Sequence, residues 1–162
     1  MSKGVVRFHD SREKPYGDLS PLSPHPVTIR HVQFPSLHHY FLTERFGGLP
    51  DAAAFQSAAS VWELDRLVRS AEQANRQRAD WDQLKVDVML LGNYMKFKQN
   101  DDARELLLGT GTALIVDHTS EDDFWGDAGD GTGHNLLGVI LMAVRDRLLR
   151  EAAVRARMKA GN

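Results

Sequence analysis

Hydrophobic and polar positions along the chain predict a few short strands and a longer succession of helices. An apolar run at Val5–Phe8 indicates a first strand, and the β-branched, roughly alternating residues of Val27–Phe34 indicate a second. Ala113–Val116 is typical of a brief buried strand. Residues 9–26 hold four of the six prolines, which predicts a long irregular connection of the kind that often lines a site.

Helices are predicted over most of the remaining chain. Ser36 is a suitable N-cap for a helix that runs to about Phe46 and ends at Gly47 and Gly48. Further helices are expected over 51–78, where two helices meet near residues 57–60, and over 80–98, 101–108 and 135–159. The combination predicts an α+β fold, mostly helical, around a small β-sheet.

Two of these helices carry an apolar stripe, which indicates the face that packs against a core. In the helix over 80–98 the stripe consists of Leu84, Val88, Leu91 and Met95. In the last helix it consists of Leu137, Ile140 or Leu141, Val144 and Leu148. The second half of the last helix is basic, which suits the negative end of the helix dipole and is typical of a solvated face. Its basic residues are Arg145, Arg147, Arg150, Arg155, Arg157 and Lys159.

Composition narrows the class of protein. The chain has 162 residues, of which 42% are hydrophobic and 26% charged, as in a soluble globular protein. We expect one domain over 1–162, with a core over about 5–150 and a basic helix end over 150–162. The net charge of −2 provides no general attraction for nucleic acid. The absence of cysteine excludes disulfides, thiolate catalysis and cysteine-bound zinc. No membrane span or leader is recognisable, so the cytoplasm is the expected compartment.

The most unusual segment is a glycine-rich loop over residues 120–133, which leads into the last helix. Its four glycines, at 126, 129, 131 and 133, allow the backbone to approach a ligand closely. The helix N-terminus that follows favours an anion. Trp125 and Asp127 combine a ring for stacking with a carboxylate that could orient water and stabilise an oxocarbenium-like sugar. The structural alternative is a glycine-rich turn whose aspartate caps the helix. The loop matches neither a P-loop nor an EF-hand.

A second group of candidates lies between Phe34 and Phe46. His38 and His39 are adjacent and face different directions on a helix, so they make a poor chelating pair and no metal site is expected. A hydrogen-bonded core histidine is the alternative for either. Arg45 could bind a phosphate, or form an ion pair with Glu44 or Asp51.

The ends of the helix over 80–98 supply two more candidates. Trp81, in the first turn, could be a stacking platform for a base or simply a staple onto the core. Lys96 could reach a phosphate, although a lysine in a last turn is favoured by the helix dipole alone.

Several motifs, in this order and spacing, resemble the NADAR family of N-glycosidases. They are Tyr16-Gly17-Asp18-Leu19-Ser20, the segment 35–46, Trp81 with Lys85, Val88 and Met89, Lys96-Phe97 with Gln99-Asn100, Leu106-Leu107-Leu108 with Thr110-Gly111, and Trp125-Gly126-Asp127 through Gly131, Gly133, Asn135, Leu137 and Gly138. The resemblance covers about residues 6–149. It implies an α+β domain that acts without metal or cofactor on N-ribosyl compounds, such as phosphoribosylamino-pyrimidine intermediates of riboflavin synthesis or ADP-ribosylated guanine.

The resemblance also implies roles for individual residues. Asp127, His38 and Trp125 would be catalytic. Asp127 would position water or the ribose hydroxyls, and Trp125 and Trp81 would shape or stack against the base. Substrate binding would involve Asp18, Ser20, Tyr40, Arg45, Trp81, Lys96, Gly129 and Asn135.

Two departures from the family pattern lie in the second group of candidates. His38 stands where the family usually has a glutamate thought to be catalytic, although a neutral imidazole could still serve as acid or base. Arg45 replaces a lysine and keeps its charge. The sequence therefore predicts hydrolysis of a small phosphoribosyl or nucleotide-like substrate. Its alternatives are a non-catalytic nucleotide- or ADP-ribose-binding module and an ADP-ribosyl-guanine hydrolase, the one case in which nucleic acid would be a partner. No oligomeric state is predicted.

Overall fold

The computed structural model describes residues 4–47 and 52–161 and confirms an α+β fold. Within those ranges the elements are β1 (Val5–Phe8), a 3-10 helix (Gly17–Leu19), β2 (Val27–Ile29), β3 (Val32–Phe34), α1 (Leu37–Arg45), α2 (Ala52–Ser57), α3 (Val61–Gln73), α4 (Trp81–Gln99), α5 (Asp101–Gly109), β4 (Leu114–Asp117) and α6 (Leu136–Ala160). The chain divides into two compact units. Unit 1 is Met1–Ser20 with Asp101–Asn162, and unit 2 is Pro21–Asn100.

Unit 1 is organised around a parallel pair of strands. β1 pairs with β4 from Val5 opposite Leu114 to Phe8 opposite Asp117. Alternate residues of β1 are buried, whereas the last three residues of β4 are all buried. Because the strands are parallel, their carboxyl ends lie at the same edge, where ligands bind in open sheets of this kind. Both predicted strands are confirmed, β4 with its start and its end one residue later than expected.

Helix α6 packs against β4 and covers this small sheet. The stripe predicted for it is confirmed, since Leu137, Ile140, Leu141, Val144 and Leu148 are all buried. The approach to β4 is close at Gly138, where an added Cβ would lie 2.1 Å from the carbonyl oxygen of Ile115. Only glycine fits at that position of the helix.

The basic half of α6 is not uniformly solvated, which corrects one prediction. Arg145 is only 5% exposed. Its guanidinium donates to Thr110 Oγ1 at 2.8 Å and to the carbonyl oxygen of Ala113 at 2.9 Å. These two acceptors help to offset the cost of burying the charge. The remaining basic residues of this half, Arg147, Arg150, Arg155, Arg157 and Lys159, are exposed as expected.

In unit 2, the single strand predicted for Val27–Phe34 is wrong, because the segment is a hairpin. β2 and β3 pair antiparallel, with Val27 opposite Phe34 and Ile29 opposite Val32. The two residues of the turn, Arg30 and His31, have φ angles of 52° and 67°. Such left-handed pairs form the tight turns that join twisted strands, but they are usually built from Asn or Gly. The sequence therefore lacked the ordinary hairpin signal.

The helices of unit 2 begin and end close to the predicted residues. Ser36 caps α1, its Oγ accepting a hydrogen bond from the backbone N–H of His39. The joint predicted near residues 57–60 lies between α2 and α3. α3 ends at Gln73, five residues before the expected end, and the left-handed Asn75 follows. Gly48 and Asp51, named in the helix and ion-pair predictions, lie outside the described residues.

The buried face of α4 differs from the predicted stripe. Leu91 is 36% exposed, whereas Gly92, Asn93 and Lys96 are buried. Gly92 lies against Leu37 and Tyr40 of α1, leaving only 3.1 Å between an added Cβ and either side chain. α4 packs closely on α1 at this glycine and also buries two polar residues. Its buried face is therefore not the one that the apolar residues alone predict.

Candidate active site

Unit 1 presents a group of titratable side chains at the carboxyl ends of β1 and β4. Asp117 ends β4, His118 follows it, and the backbone N–H of His118 donates to the carbonyl oxygen of Phe8 at 2.8 Å. The glycine-rich loop is fixed to the same edge, because the N–H of Asp127 donates to the carbonyl oxygen of Asp117 at 2.9 Å. The fold thereby brings Asp117, His118 and Asp127 together.

The loop is held by its own backbone around Asp127. The carbonyl oxygen of Asp127 accepts from the N–H groups of Gly131 and Gly133, at 2.9 and 3.0 Å. Gly129 and Gly131 have φ angles of 76° and 88°, which glycine adopts without strain. A Cβ on Gly133 would lie 2.6 Å from the carbonyl oxygen of Gly126. The glycines therefore build a compact, rigid turn around the carboxylate.

The carboxylate of Asp127 is buried, and each of its two oxygens has a hydrogen-bond partner. Its Oδ1 accepts from the N–H of Gly129 at 2.9 Å, and its Oδ2 lies 2.9 Å from Nδ1 of His118. The Asp127 side chain is 9% exposed, whereas that of His118 is 46% exposed. Burial by itself raises the pKa of Asp127, but the hydrogen bonds from His118 and Gly129 outweigh it. The net pKa lies below the ordinary value, so Asp127 is ionised at neutral pH.

The neighbouring carboxyl group of Asp117 is shifted in the opposite direction. Burial, with a smaller contribution from the charge of Asp122, raises its pKa to about 6, against the opposing effect of His9. Asp127 contributes to the same rise. Two carboxyl groups whose pKa values are pushed apart are the usual basis for separate acid and base roles. Asp117 is partly protonated near neutral pH, while Asp127 carries a charge.

Trp125 is oriented by the loop that carries Asp127. The Oδ1 atom of Asp122 accepts from the N–H groups of Phe124 and Trp125, at 2.9 and 2.8 Å. The Phe124 ring meets the Trp125 ring edge-on, with centroids 4.9 Å apart. The Trp125 side chain is half-buried. It lies two residues from Asp127 in the same loop, and its predicted catalytic and stacking role stays a prediction.

Asn135 has a demanding structural role. Its φ is 52°, its Nδ2 donates to the carbonyl oxygen of Ile115, and its Oδ1 accepts from the N–H of Asp117, both at 2.9 Å. The side chain thus joins β4 to the start of α6. Its predicted role in substrate binding stays a prediction, as do those of Asp18 and Ser20. Asp18 is half-buried within the 3-10 helix, which contacts α5, and Ser20 is buried directly after that helix.

The other predicted residues belong to unit 2, where His38 and Tyr40 lie on α1. Burial lowers the pKa of His38 to about 4, with a further lowering from His39 and an opposing effect of Asp65. His38 is therefore neutral at pH 7. Tyr40 is 2% exposed, and burial raises the pKa of its phenol to about 12. Its ring meets that of Phe34 edge-on at 5.3 Å.

Arg45 bridges the end of α1 to the end of α3. Its Nε donates to Gln77 Oε1 and its Nη2 to Glu72 Oε1, both at 2.8 Å. The guanidinium also lies over the Phe46 ring, 4.9 Å from its centroid. Among the described residues the ion pair of Arg45 is with Glu72 and not with Glu44, and Asp51 lies outside those residues.

Trp81 and Lys96, at the two ends of α4, are both buried. Trp81 is 4% exposed and packs edge-on against Phe41, with centroids 4.9 Å apart, as the staple alternative describes. Lys96 is fully buried, with its Nζ 5.0 Å from the centroid of the Phe97 ring. Burial distinguishes Lys96 from an ordinary last-turn lysine, because complete burial of a lysine is rare.

Neither a metal cluster nor a membrane-spanning helix is found in the described part of the chain. Among residues 4–47 and 52–161, no group of three or more His, Asp or Glu side chains could hold a metal ion. In the same part of the chain, no helix is both long and apolar enough to cross a membrane. Metal independence stays a prediction.

His118 and Asp117 were missed in the sequence. His118 is nine residues from Asp127, a separation with no helical or strand periodicity, so no motif connects them. Their position directly after a predicted strand is the one available signal, because functional side chains gather at the carboxyl ends of parallel strands, and the structure shows that this strand is parallel to β1.

Comparison with known proteins extends this description. Residues 7–149 match the model of the NADAR domain family. The chain is 31% identical to N-glycosidase YbiA of Escherichia coli over 151 residues, which cover 93% of this chain and 92% of that protein. It superposes on the NMR structure of YbiA with a TM-score of 0.82 and 30% identity, over 94% of this chain and 89% of the other. It is also 35% identical to the riboflavin biosynthesis protein VVA0006 of Vibrio vulnificus, covering 91% of this chain but 39% of that protein.

Proposed function

Because the chain belongs to the NADAR family, we propose that it is an N-glycosidase that hydrolyses the C–N bond between a ribose and a nitrogenous group. The substrate is a small phosphoribosylamino-pyrimidine or nucleotide-like compound. The name of YbiA, an N-glycosidase similar over nearly its whole length, supports the reaction. The name of the Vibrio protein, which assigns it to riboflavin biosynthesis, supports the class of substrate.

The observation that carries the proposal is the pair of carboxyl groups at the strand edge. Cleavage of an N-glycosidic bond develops positive charge on the sugar and negative charge on the departing nitrogen. Asp127, ionised because its hydrogen bonds lower its pKa, supplies the negative charge near the sugar. Asp117, whose pKa is raised to about 6, supplies a proton to the departing nitrogen. One group therefore serves each side of the breaking bond.

The glycine-rich loop suits the rest of such a substrate. Trp125 offers a half-buried ring for the base, held in place by Asp122 and Phe124. Base stacking on an aromatic side chain contributes about 1–3 kcal/mol in other proteins. The rigid backbone turn around Asp127 keeps ring and carboxylate at a fixed separation, so that binding energy is not spent on ordering the loop.

A second candidate function, a binding module that no longer turns substrate over, is favoured by His38. A neutral imidazole there cannot replace the negative charge of the glutamate usual in the family, since burial lowers its pKa to about 4. Hydrolysis of ADP-ribosylated guanine is a third candidate. It involves the same kind of bond and a different substrate.

The test is a panel of substrates incubated with the purified full-length protein. It contains a riboflavin-pathway phosphoribosylaminopyrimidine, ADP-ribose, NAD and an ADP-ribosylated guanine oligonucleotide, with released base and sugar measured by mass spectrometry. Asp127→Ala is the test variant. Asp130→Asn, an exposed aspartate of the same loop, is the matched control.

The proposal expects release from the pyrimidine compound, its loss in Asp127→Ala, and normal turnover by Asp130→Asn. Release from the oligonucleotide alone would establish the third candidate. No release from any compound, together with measurable ADP-ribose affinity, would establish the binding module and reject the enzyme.

A further inference from the structure

We propose that His118 is the base that activates the attacking water, and that Asp127 acts as its positioning residue. This inference rests on the proposed N-glycosidase activity and deepens it by naming the group that moves the proton. Nothing in the sequence motifs points to His118. It is assigned here from its geometry with Asp127 and from its exposure.

The pair has the arrangement of an oriented imidazole. Nδ1 of His118 lies 2.9 Å from Oδ2 of Asp127, and the other carboxylate oxygen is held by the N–H of Gly129. Both oxygens of Asp127 therefore have partners, and the carboxylate is 9% exposed. Little of the Asp127 carboxylate faces solvent, whereas nearly half of the His118 side chain does. A water molecule can therefore reach the imidazole more readily than the carboxylate.

The hydrogen bond also fixes the tautomer of the ring. Asp127 is ionised and accepts only, so the neutral imidazole carries its proton on Nδ1 and leaves the lone pair on Nε2. None of the described residues forms a hydrogen bond with Nε2, and the side chain is 46% exposed. The nitrogen that can accept a proton is therefore accessible to a water molecule at the surface of the site.

Titratable groups from the ends of β1 and β4 and from the glycine-rich loop lie around His118. Its backbone N–H is anchored to Phe8 at the end of β1. The titratable groups that act on the cluster are Asp117 at the end of β4, His9 after β1, and Asp122 and Asp127 in the glycine-rich loop. Three of these four groups are acidic, and of these Asp127 is the one in hydrogen-bond contact with the His118 ring.

The proposed step consumes one water molecule and moves two protons. Nε2 of His118 takes one proton from water while the water oxygen forms a bond to C1′ of the ribose. The C1′–N bond breaks, its electron pair goes to the nitrogen, and the nitrogen takes the proton of the Asp117 carboxyl group. The products are the free amine or base and a ribose with a hydroxyl at C1′. Solvent then removes the proton from His118 and returns one to Asp117.

Steady-state kinetics on the substrate found in the panel separate this role from a structural one. His118→Asn should lower kcat by about 10²–10⁴-fold, the usual contribution of a general base, with KM changed less than about threefold. The acidic limb of the kcat/KM profile, which reports protonation of the base, should disappear. His134→Asn is the matched control, because His134 is an exposed histidine at the end of the same loop. Its kinetics and pH profile should be those of the wild type.

Asp127→Asn tests the positioning role by NMR as well as by kinetics. The ring nitrogens of His118 should show a proton on Nδ1 in the neutral wild-type protein and a mixed tautomer in Asp127→Asn. The His118→Asn and Asp127→Asn losses should not add in the double variant, because the two residues act as one unit.

Each failure has a distinct signature. An active wild type with full turnover and an intact acidic limb in His118→Asn would overturn the inference and leave the N-glycosidase proposal standing. A neutral His118 with its proton on Nε2 would overturn it as well. Absence of turnover by the wild type on every substrate would reject the proposed function, and the inference with it.

Discussion

Replacing Asn135 should destabilise the protein more than replacing an exposed residue with a left-handed backbone, such as Asn75, does. The Asn135 amide donates to Ile115 and accepts from Asp117, both at 2.9 Å, and the residue has a φ of 52°. Alanine removes both hydrogen bonds and is disfavoured in the left-handed region. Glycine removes the hydrogen bonds but adopts that conformation freely. The two substitutions therefore separate the two contributions.

The magnitudes follow from these contacts. A buried backbone group left without its partner costs about 1–3 kcal/mol, and two are affected, so Asn135→Gly should cost about 2–6 kcal/mol. Asn135→Ala should cost about 1 kcal/mol more for the left-handed backbone. Asn75→Ala is the matched control, because Asn75 is exposed and has a φ of 51°. It should cost about 1 kcal/mol through the backbone alone.

Urea denaturation followed by circular dichroism measures all three variants. The expected order of destabilisation is Asn135→Ala, then Asn135→Gly, then Asn75→Ala. Equal costs for the two alanine variants would refute the reasoning, because the hydrogen bonds of Asn135 would then contribute nothing. A raised KM in Asn135→Gly, measured where the variant is fully folded, would support the substrate-binding role predicted from the sequence.

Three further predictions concern packing, pH dependence and the altered family position. Gly138→Ala should destabilise the protein by about 3 kcal/mol, because its Cβ would lie 2.1 Å from a backbone oxygen, whereas Gly109→Ala, with no atom within 4 Å, should cost nothing in the same denaturation assay. The raised pKa of Asp117 means that the folded chain holds its proton more tightly than the unfolded chain. This contribution to stability is fully present below about pH 4 and is lost as pH rises through about 6. Asp117→Asn should therefore be more stable than the wild type by up to about 3 kcal/mol at pH 7, but not at pH 4. Equal stability differences at the two pH values would contradict the raised pKa. His38→Glu should raise kcat if the imidazole impairs an active hydrolase, and an unchanged kcat would show that this position no longer contributes charge.

The parts of the fold that the sequence predicted are those where one local rule dominates. Ser36 provides an N-cap hydrogen bond, and the apolar stripe of α6 is buried as its spacing indicates. The hairpin between β2 and β3 was missed because Arg30 and His31 adopt positive φ without the residues that normally signal it. The face of α4 was misassigned because Asn93 and Lys96 are buried despite being polar.

The candidate site was likewise predictable only where the local sequence is distinctive. Asp127 and Trp125 lie in a loop whose glycines indicate an unusual backbone, so both could be named from the sequence. The partner of Asp127 could not be named, because His118 approaches it only when β4 and the loop are joined through the backbone of Asp117. The opposite pKa shifts of Asp117 and Asp127 depend on burial and hydrogen bonds, which the order of residues does not encode.

Cleavage of the phosphoribosylaminopyrimidine in water enriched in ¹⁸O tests the N-glycosidase proposal most directly. The freed ribose should carry one ¹⁸O at C1′ when the reaction is quenched promptly, and free ribose phosphate kept in the same water corrects for slow exchange. Label at C1′ with release of the intact base is the expected result, because water replaces the nitrogen at that carbon. Label on the phosphate, or on the base, would show that another bond is broken and would contradict the account.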